Sequence, residues 1–208
     1  MGGDSPRELV ALLREAGIED PRVLDAFGRL DRAGFIPTDR RHRAYEDDAI
    51  RIGHGQMTTQ PSLMAMMIEA LELSGDERVL EVGTGFGFQT ALLGLLARQA
   101  LSVERIAALA HQARANLRAA GIRNATVVIG DGSLGLAEHA PYDAIVISAA
   151  APAVPPRLAE QLAEGGRLVH PVGSGGDECV TLFRKRAGEL RSDRVLTRAY
   201  FVPLLGGE

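Results

Sequence analysis

Apolar residues recur along this chain at two spacings that take turns. Near the start, Leu9, Leu12 and Leu13 follow Ser5-Pro6, and Val23, Leu24 and Phe27 follow Asp20-Pro21. These are helical intervals, each behind a capping residue and a proline suited to the first helical position. Gly17 and Gly34 are expected to end the two helices. Residues 35–48 are polar and irregular, which fits a segment wrapped over the core. Residues 62–73 read as an apolar helix with Met64, Met67, Ile68 and Leu71 turned inward as core filler.

From Val79 onward the pattern changes to short apolar runs separated by helical stretches. Strands are expected at 79–82, 100–104, 125–129, 142–147 and 167–173, with helices at 89–97 and 155–163, the latter stopped by Gly165-Gly166. The last two strands are expected at 179–183 and 195–202, with Arg184-Lys185-Arg186 as a solvated turn between them. This alternation predicts one α/β domain over 1–208, with a mostly parallel seven-stranded sheet, helices on both faces and a site beyond the carboxyl ends of the early strands.

Composition narrows the function. A length of 208 residues supports a sizeable core without disulfides, and the only cysteine, Cys179, fits a reducing, cytoplasmic setting. Net charge is −4, which leaves no broad basic surface for phosphates, and aromatics are few, so nucleic acid is not expected as a partner. No run has transmembrane length, no leader opens the chain, and the five histidines lack metal-ligand spacing, so neither membrane nor metal is expected.

The candidate chemistry gathers around Val79-Leu80-Glu81-Val82-Gly83-Thr84-Gly85-Phe86-Gly87, a buried strand that runs through alternate glycines into a helix. Glycines here serve either a tight turn or a ligand lying against bare backbone. The spacing is G-x-G-x-G rather than the dinucleotide fingerprint, and Glu81 just ahead would repel a pyrophosphate but suit a cation such as S-adenosylmethionine. Glu104, followed by Arg105, ends the next strand at the place where an acid accepts ribose hydroxyls; the alternative is a solvated acid at a helix start. Asp131, before Gly132, either accepts from an adenine amino group or makes an ordinary Asp-Gly turn. Thr58 and Thr59, before Gln60-Pro61, are either catalytic hydroxyls or helix caps.

Taken together these residues resemble the protein-L-isoaspartate (D-aspartate) O-methyltransferases, Rossmann-like class I enzymes that use S-adenosylmethionine. The resemblance spans nearly the whole chain. It rests on Phe35-Ile36-Pro37, Ala44-Tyr45-Glu46-Asp47, Gly55-Gln56 with Gln60-Pro61, the glycine loop, Gly130-Asp131-Gly132, Pro171-Val172-Gly173 and Phe201-Val202-Pro203-Leu204. It implies methyl transfer to the free α-carboxylate of isoaspartyl residues in damaged proteins or peptides, leading to succinimide-mediated repair and leaving S-adenosylhomocysteine. The implied cofactor-binding set is Glu81, Gly83, Thr84, Gly85, Gly87, Glu104, Arg105, Asp131 and Gly132. The expected layout is 1–60 as N-terminal helices and a lid over the cofactor, with Gly53 and Gly55 as hinges, and 76–208 as the core; a monomer is the default, since no coiled-coil pattern is present.

The chain departs from the family pattern near the chemistry. Thr59 stands where a serine is usual, Met57 where a threonine is usual, and Phe86 and Phe88 where Ser and Tyr are common. Since an isoaspartyl carboxylate is ionised at neutral pH, no general base is required. Thr59, and second Thr58, are therefore expected to orient the acceptor. Other readings are a methyltransferase for a different acceptor, a nicotinamide oxidoreductase, against which Glu81 and the glycine spacing argue, and a binding module without turnover.

Overall fold

Ser5 and Asp20 accept from the backbone amides of Glu8 and Arg22 at 3.4 and 2.8 Å. They thereby cap α1 (Pro6–Glu15) and α2 (Pro21–Arg29). The computed structural model describes residues 5–176 and 178–206. Gly17 follows α1 at φ 90°, as a left-handed stop requires. Gly34 is no stop: α2 ends at the extended Leu30, and Asp31 caps a 3₁₀ turn, Arg32–Phe35, that contains Gly34. A second 3₁₀ turn, Thr38–Arg43, leads to a small hairpin of β1 (Arg51–Gly53) and β2 (Gln56–Met57). Asp47 accepts from the Ser62 amide at 2.8 Å and so holds the start of α3 (Pro61–Glu69).

Five parallel strands follow in βα units: β3 (Arg78–Val82), β4 (Gln99–Glu104), β5 (Ala125–Ile129), β6 (Tyr142–Ile147) and β7 (Leu162–Val172). The intervening helices are α4 (Phe88–Leu96), α5 (Ala107–Ala119) and α6 (Pro156–Gln161). β8 (Glu178–Arg186) and β9 (Glu189–Ala199) add antiparallel at one edge. The order across the seven-stranded sheet is β5-β4-β3-β6-β7-β8-β9. Period-two alternation sorts each strand between two cores. Val79, Ala100, Val127 and Val146 face α1 to α5, while Leu80, Leu101, Val103 and Ile145 face α6 and the turns Gly132–Leu134 and Ala137–His139.

Several expected boundaries move, beginning with α3, which ends at Glu69 and not at 73. Gly165-Gly166 do not stop α6 but lie in the first half of β7, where a bulge lets Tyr142 pair with Leu162 and Ala144 with Arg167. Arg184-Lys185-Arg186 belong to β8, and the turn is Ala187-Gly188, at φ 53° and 78°. Lys185 caps the carbonyls of Ala159 and Leu162 at 2.9 and 2.8 Å, which draws the basic run back onto the sheet. β9 accordingly begins at Glu189 and not at 195.

Gly132 packs so closely on the end of β3 that an added Cβ would overlap Val82 Cγ1. Gly132→Ala is expected to cost about 1–3 kcal/mol in thermal unfolding. The double variant with Val82→Ala should lose less than the two single losses added together.

Candidate active site

β4 and β6 leave opposite sides of β3, so the chain's direction across the sheet reverses there and a crevice opens beyond the strand ends. The loops that follow these strands line it: residues 83–86 after β3, Glu104-Arg105-Ile106 after β4, and Ser148-Ala149 after β6, joined by Gly132. The hairpin and the loop after it, through Ile52 and residues 56–59, close one side, and residues 202–205 close another. That C-terminal segment is fixed by bonds from the Ala150 amide to Val202 O (2.8 Å) and from the Leu204 amide to Ala150 O (2.7 Å).

Gly85 shows why the loop needs glycine. Its φ is 55°, and its N–H donates to Glu104 Oε2 at 2.9 Å. An added Cβ would stand 3.1 Å from Ile52 Cδ1, which would have to give by a few tenths of an ångström, on top of the strain of a positive φ. The other oxygen of Glu104 accepts from the Ile106 amide at 2.9 Å. Glu104 is thus oriented by the backbone on the cavity wall, with Arg105 exposed beside it. Thr84 also lines the cavity, with its hydroxyl 2.5 Å from Ser102 Oγ. Gly87, at φ 87°, opens α4 but lies off the wall, against Ala113 of α5.

Glu81 is placed differently from the ligand contact expected of it. Alternation along β3 turns its side chain under α4, where it is fully buried and not on the wall. Oε2 accepts from the hydroxyls of Thr90 and of Ser102, the latter at 2.6 Å, and Oε1 has no hydrogen-bond partner among the described residues. Burial pushes its pKa up to about 7. Asp131 makes the turn: its Oδ1 accepts from the Ser133 amide and hydroxyl at 2.9 and 2.7 Å, it is not on the cavity wall, and Gly206 packs against its carboxylate.

The two threonines part company. Both line the cavity, but Thr58 Oγ1 accepts from Arg32 Nη2 at 3.2 Å and from the Ile50 amide at 3.0 Å, so its oxygen is tied to the fold. Thr59 lines the cavity, and its hydroxyl has no hydrogen-bond partner among the described residues.

Two contributors have no motif to announce them. Gln89 lines the cavity, donates to Ser148 Oγ at 3.0 Å, and leaves Oε1 buried without a partner among the described residues. Its only signal is position in the first turn of the helix after the glycines. Arg32 is fully buried, its guanidinium 5.9 Å from the Phe88 ring centroid. It donates to the carbonyls of Ala44 (2.8 Å), Glu46 (3.1 Å) and Asp48 (3.3 Å) as well as to Thr58. Burial lowers its pKa to about 10 against the pull of Asp47 and Asp48, so it stays cationic at neutral pH. Among the described residues no group of three His, Cys, Asp or Glu could hold a metal ion, and no helix is long and apolar enough to cross a membrane.

A mostly parallel sheet with its site at the β3 switch point, a G-x-G-x-G loop and an acid at the end of β4 is the arrangement of a Rossmann-like class I methyltransferase. A family model described as protein-L-isoaspartate(D-aspartate) O-methyltransferase matches residues 4–208, and the chain belongs to that family. A protein-L-isoaspartate O-methyltransferase of Myxococcus xanthus is 49% identical over 197 residues, covering 93% of each chain. One from Roseiflexus sp. is 46% identical over 201 residues, covering 97% of this chain and 92% of its own. A solved protein-L-isoaspartate O-methyltransferase superposes with a TM-score of 0.85 at 29% identity, over 97% of this chain and 66% of the other. A Plasmodium falciparum protein solved with S-adenosyl-L-homocysteine shares the fold, at a TM-score of 0.84 and 22% identity over 98% and 99% of the two chains.

The raised pKa of Glu81 has a stability consequence of definite sign. The folded chain holds this proton up to about pH 7, whereas a carboxyl of ordinary pKa 4.5 releases it earlier. The group's contribution therefore falls as pH rises from 4.5 to about 7 and is level above that. Glu81→Gln removes the titration. Its melting temperature relative to the parent chain is expected to rise between pH 5 and pH 8, by the equivalent of up to about 3 kcal/mol.

Proposed function

We propose that this chain is a protein-L-isoaspartate O-methyltransferase in which Thr59 orients the acceptor carboxylate. The observation that carries the role of Thr59 is the division of labour in the loop: the Thr58 hydroxyl is held by Arg32 and the Ile50 amide, and the Thr59 hydroxyl remains for a substrate. Family membership over nearly the whole chain supports the acceptor, the free α-carboxylate of an L-isoaspartyl residue in a damaged protein or peptide. Its methyl ester opens the way to succinimide formation and repair.

The residues present suit S-adenosylmethionine. Buried acceptors without donors, Gln89 Oε1 on the wall and Glu81 Oε1 behind it, fit a ligand that brings ammonium and sulfonium charge and hydroxyls. On this reading Gly83, Thr84 and Gly85 lie along the cofactor, with Gly87 holding the loop's exit into α4. Glu104 receives the ribose beside Arg105, and Asp131 and Gly132 stand at the adenine end. Glu81 stands beneath, partly ionised near neutral pH, where a neighbouring cation would draw it to its charged form. When bound, the cofactor supplies a methyl group on a sulfonium and leaves as S-adenosylhomocysteine.

The chain's own residues then have three tasks. The isoaspartyl carboxylate arrives ionised, so no proton has to be taken from it. Thr59 donates its hydroxyl to one carboxylate oxygen and leaves the other to react; its second Cβ substituent restricts χ1 and so fixes the direction of that bond. Ile52, Met57, Leu204 and Leu205 form an apolar surround that displaces water from the reacting groups. The segment 53–60 serves as lid, hinged at Gly53 and Gly55, whose φ values of 88° and 72° few other residues adopt. Residues 1–60 and 76–208 work as one domain, and the enzyme acts in the cytoplasm as a single chain, without nucleic acid, membrane or metal.

Two peptides identical except for an aspartyl or isoaspartyl linkage test the activity. Base-labile label from labelled S-adenosylmethionine is expected on the isoaspartyl peptide alone, and equal label on both would overturn the acceptor. Thr59→Val keeps the shape and removes the donor, so kcat should fall about 10- to 100-fold, the value of a hydrogen bond to a charged group. Thr59→Ser should stay within a few-fold, and an unchanged kcat for Thr59→Val would remove the assigned role.

A further inference from the structure

A second groove, of about 470 Å³, lies along the hairpin, between it and the 3₁₀ turn Thr38–Arg43. Ile52, Gln56, Met57 and Phe86 line both this groove and the cavity, so the two spaces meet at the loop that carries Thr59. A polypeptide with one carboxylate at Thr59 must run on in both directions, and the groove is adjoining room for part of it.

Strand alternation decides what that part meets. Ile52 is buried against the glycine loop, while Arg51 and Gly53, on either side of it, are exposed. Arg51 and Arg40 both line the groove, as does one acid, Asp39, 3.5 Å from Arg40. Arg51 has no ion-pair partner among the described residues. The nearby Arg43 differs, because it is spent on Glu46 and Asp48 at 2.7 and 2.6 Å. Two arginines against one aspartate leave the groove with a surplus positive charge on a chain whose net charge is −4. Met57, 41% exposed, gives it an apolar wall.

We propose that this groove is a subsite for the polypeptide segment flanking the isoaspartyl residue, and that Arg51, with Arg40, favours an acidic side chain there. The inference rests on the isoaspartyl reading above and adds a preference among substrates. Exposed ion pairs are worth little each, so the preference is a matter of specificity more than of tight binding.

The test compares kcat/KM for two isoaspartyl peptides that carry Glu or Lys at the positions flanking the isoaspartyl residue. The parent chain should favour the Glu peptide about three- to tenfold at low salt, the sum of two exposed pairs. The ratio should shrink towards one in 0.5 M salt, where the screening length is about 4 Å. Arg51→Glu should reverse the preference, and Arg40→Glu should reduce it, mainly through KM. A ratio unchanged in both variants while both peptides are still methylated would overturn the subsite and leave the activity standing. Methylation of neither peptide by the parent chain would overturn the isoaspartyl reading and the subsite with it.

Discussion

The reversal of strand order at β3 is the constraint on which the rest of the structure depends. Because β4 and β5 lie to one side of β3 and β6 and β7 to the other, the loops leaving neighbouring strands diverge, and no side chain from the sheet fills the space between them. The glycine loop, Glu104, Gly132 and Ser148 reach one cavity for that reason alone, although they are far apart in sequence. The crevice then has to be roofed. The N-terminal segment does so with Ile52 and residues 56–59, and the C-terminal segment with residues 202–205, which is why both ends of the chain take part in a site built at its middle.

Two buried charges hold this roofed crevice, by different means. Arg32 has been drawn out of water entirely, a cost offset at its two Nη atoms by four acceptors, three of them carbonyls of the 44–48 segment, while Nε has no partner among the described residues. Those carbonyls belong to irregular backbone with no ladder of its own, so the guanidinium does for this segment what strand pairing does elsewhere. The fourth acceptor, Thr58, passes the same rigidity to its neighbour Thr59. Glu81 sits on the other side of the cavity wall, among Thr84, Thr90 and Ser102. Hydroxyls can donate to a carboxylate without bringing positive charge of their own, so burial outweighs them and the pKa of Glu81 stands at about 7.

The sheet was legible in the sequence because parallel strands buried on both faces are continuous apolar runs, and β3, β4, β6 and the second half of β7 read that way, while β5 is apolar in sequence although it lies at an edge with only Val127 buried. β9 did not, since an edge strand with few buried positions carries no alternation to find. Glycines were legible as needing special backbone but not as to purpose. Gly83 and Gly85 line the cavity and Gly87 does not, a distinction set by how α4 packs on α5. The same limit governs the acids. Glu81, Glu104 and Asp131 each follow a strand pattern, yet only Glu104 stands on the wall, because strand parity and a local Ser133 turn decide where the other two point. Arg32 was invisible for the opposite reason: one arginine near a turn has no pattern, and its role depends on carbonyls a dozen or more residues away.

The hairpin shows how little structure is needed to keep two kinds of recognition apart. In β1, a strand of three residues, Ile52 faces the glycine loop and Arg51 faces outward, because successive side chains in any strand take opposite sides. A change at 51 therefore alters the electrostatics of the groove alone, whereas Ile52, which packs at the glycine loop and lines both spaces, couples the two. The loop that follows could not offer this separation if it were irregular throughout. Pairing of Arg51 with Met57 fixes the parity of the hairpin, and Thr58, anchored by Arg32 and the Ile50 amide, fixes where the loop turns inward. Thr59 follows directly on that anchor, so its place on the cavity wall is set by contacts made outside the cavity's glycine loop.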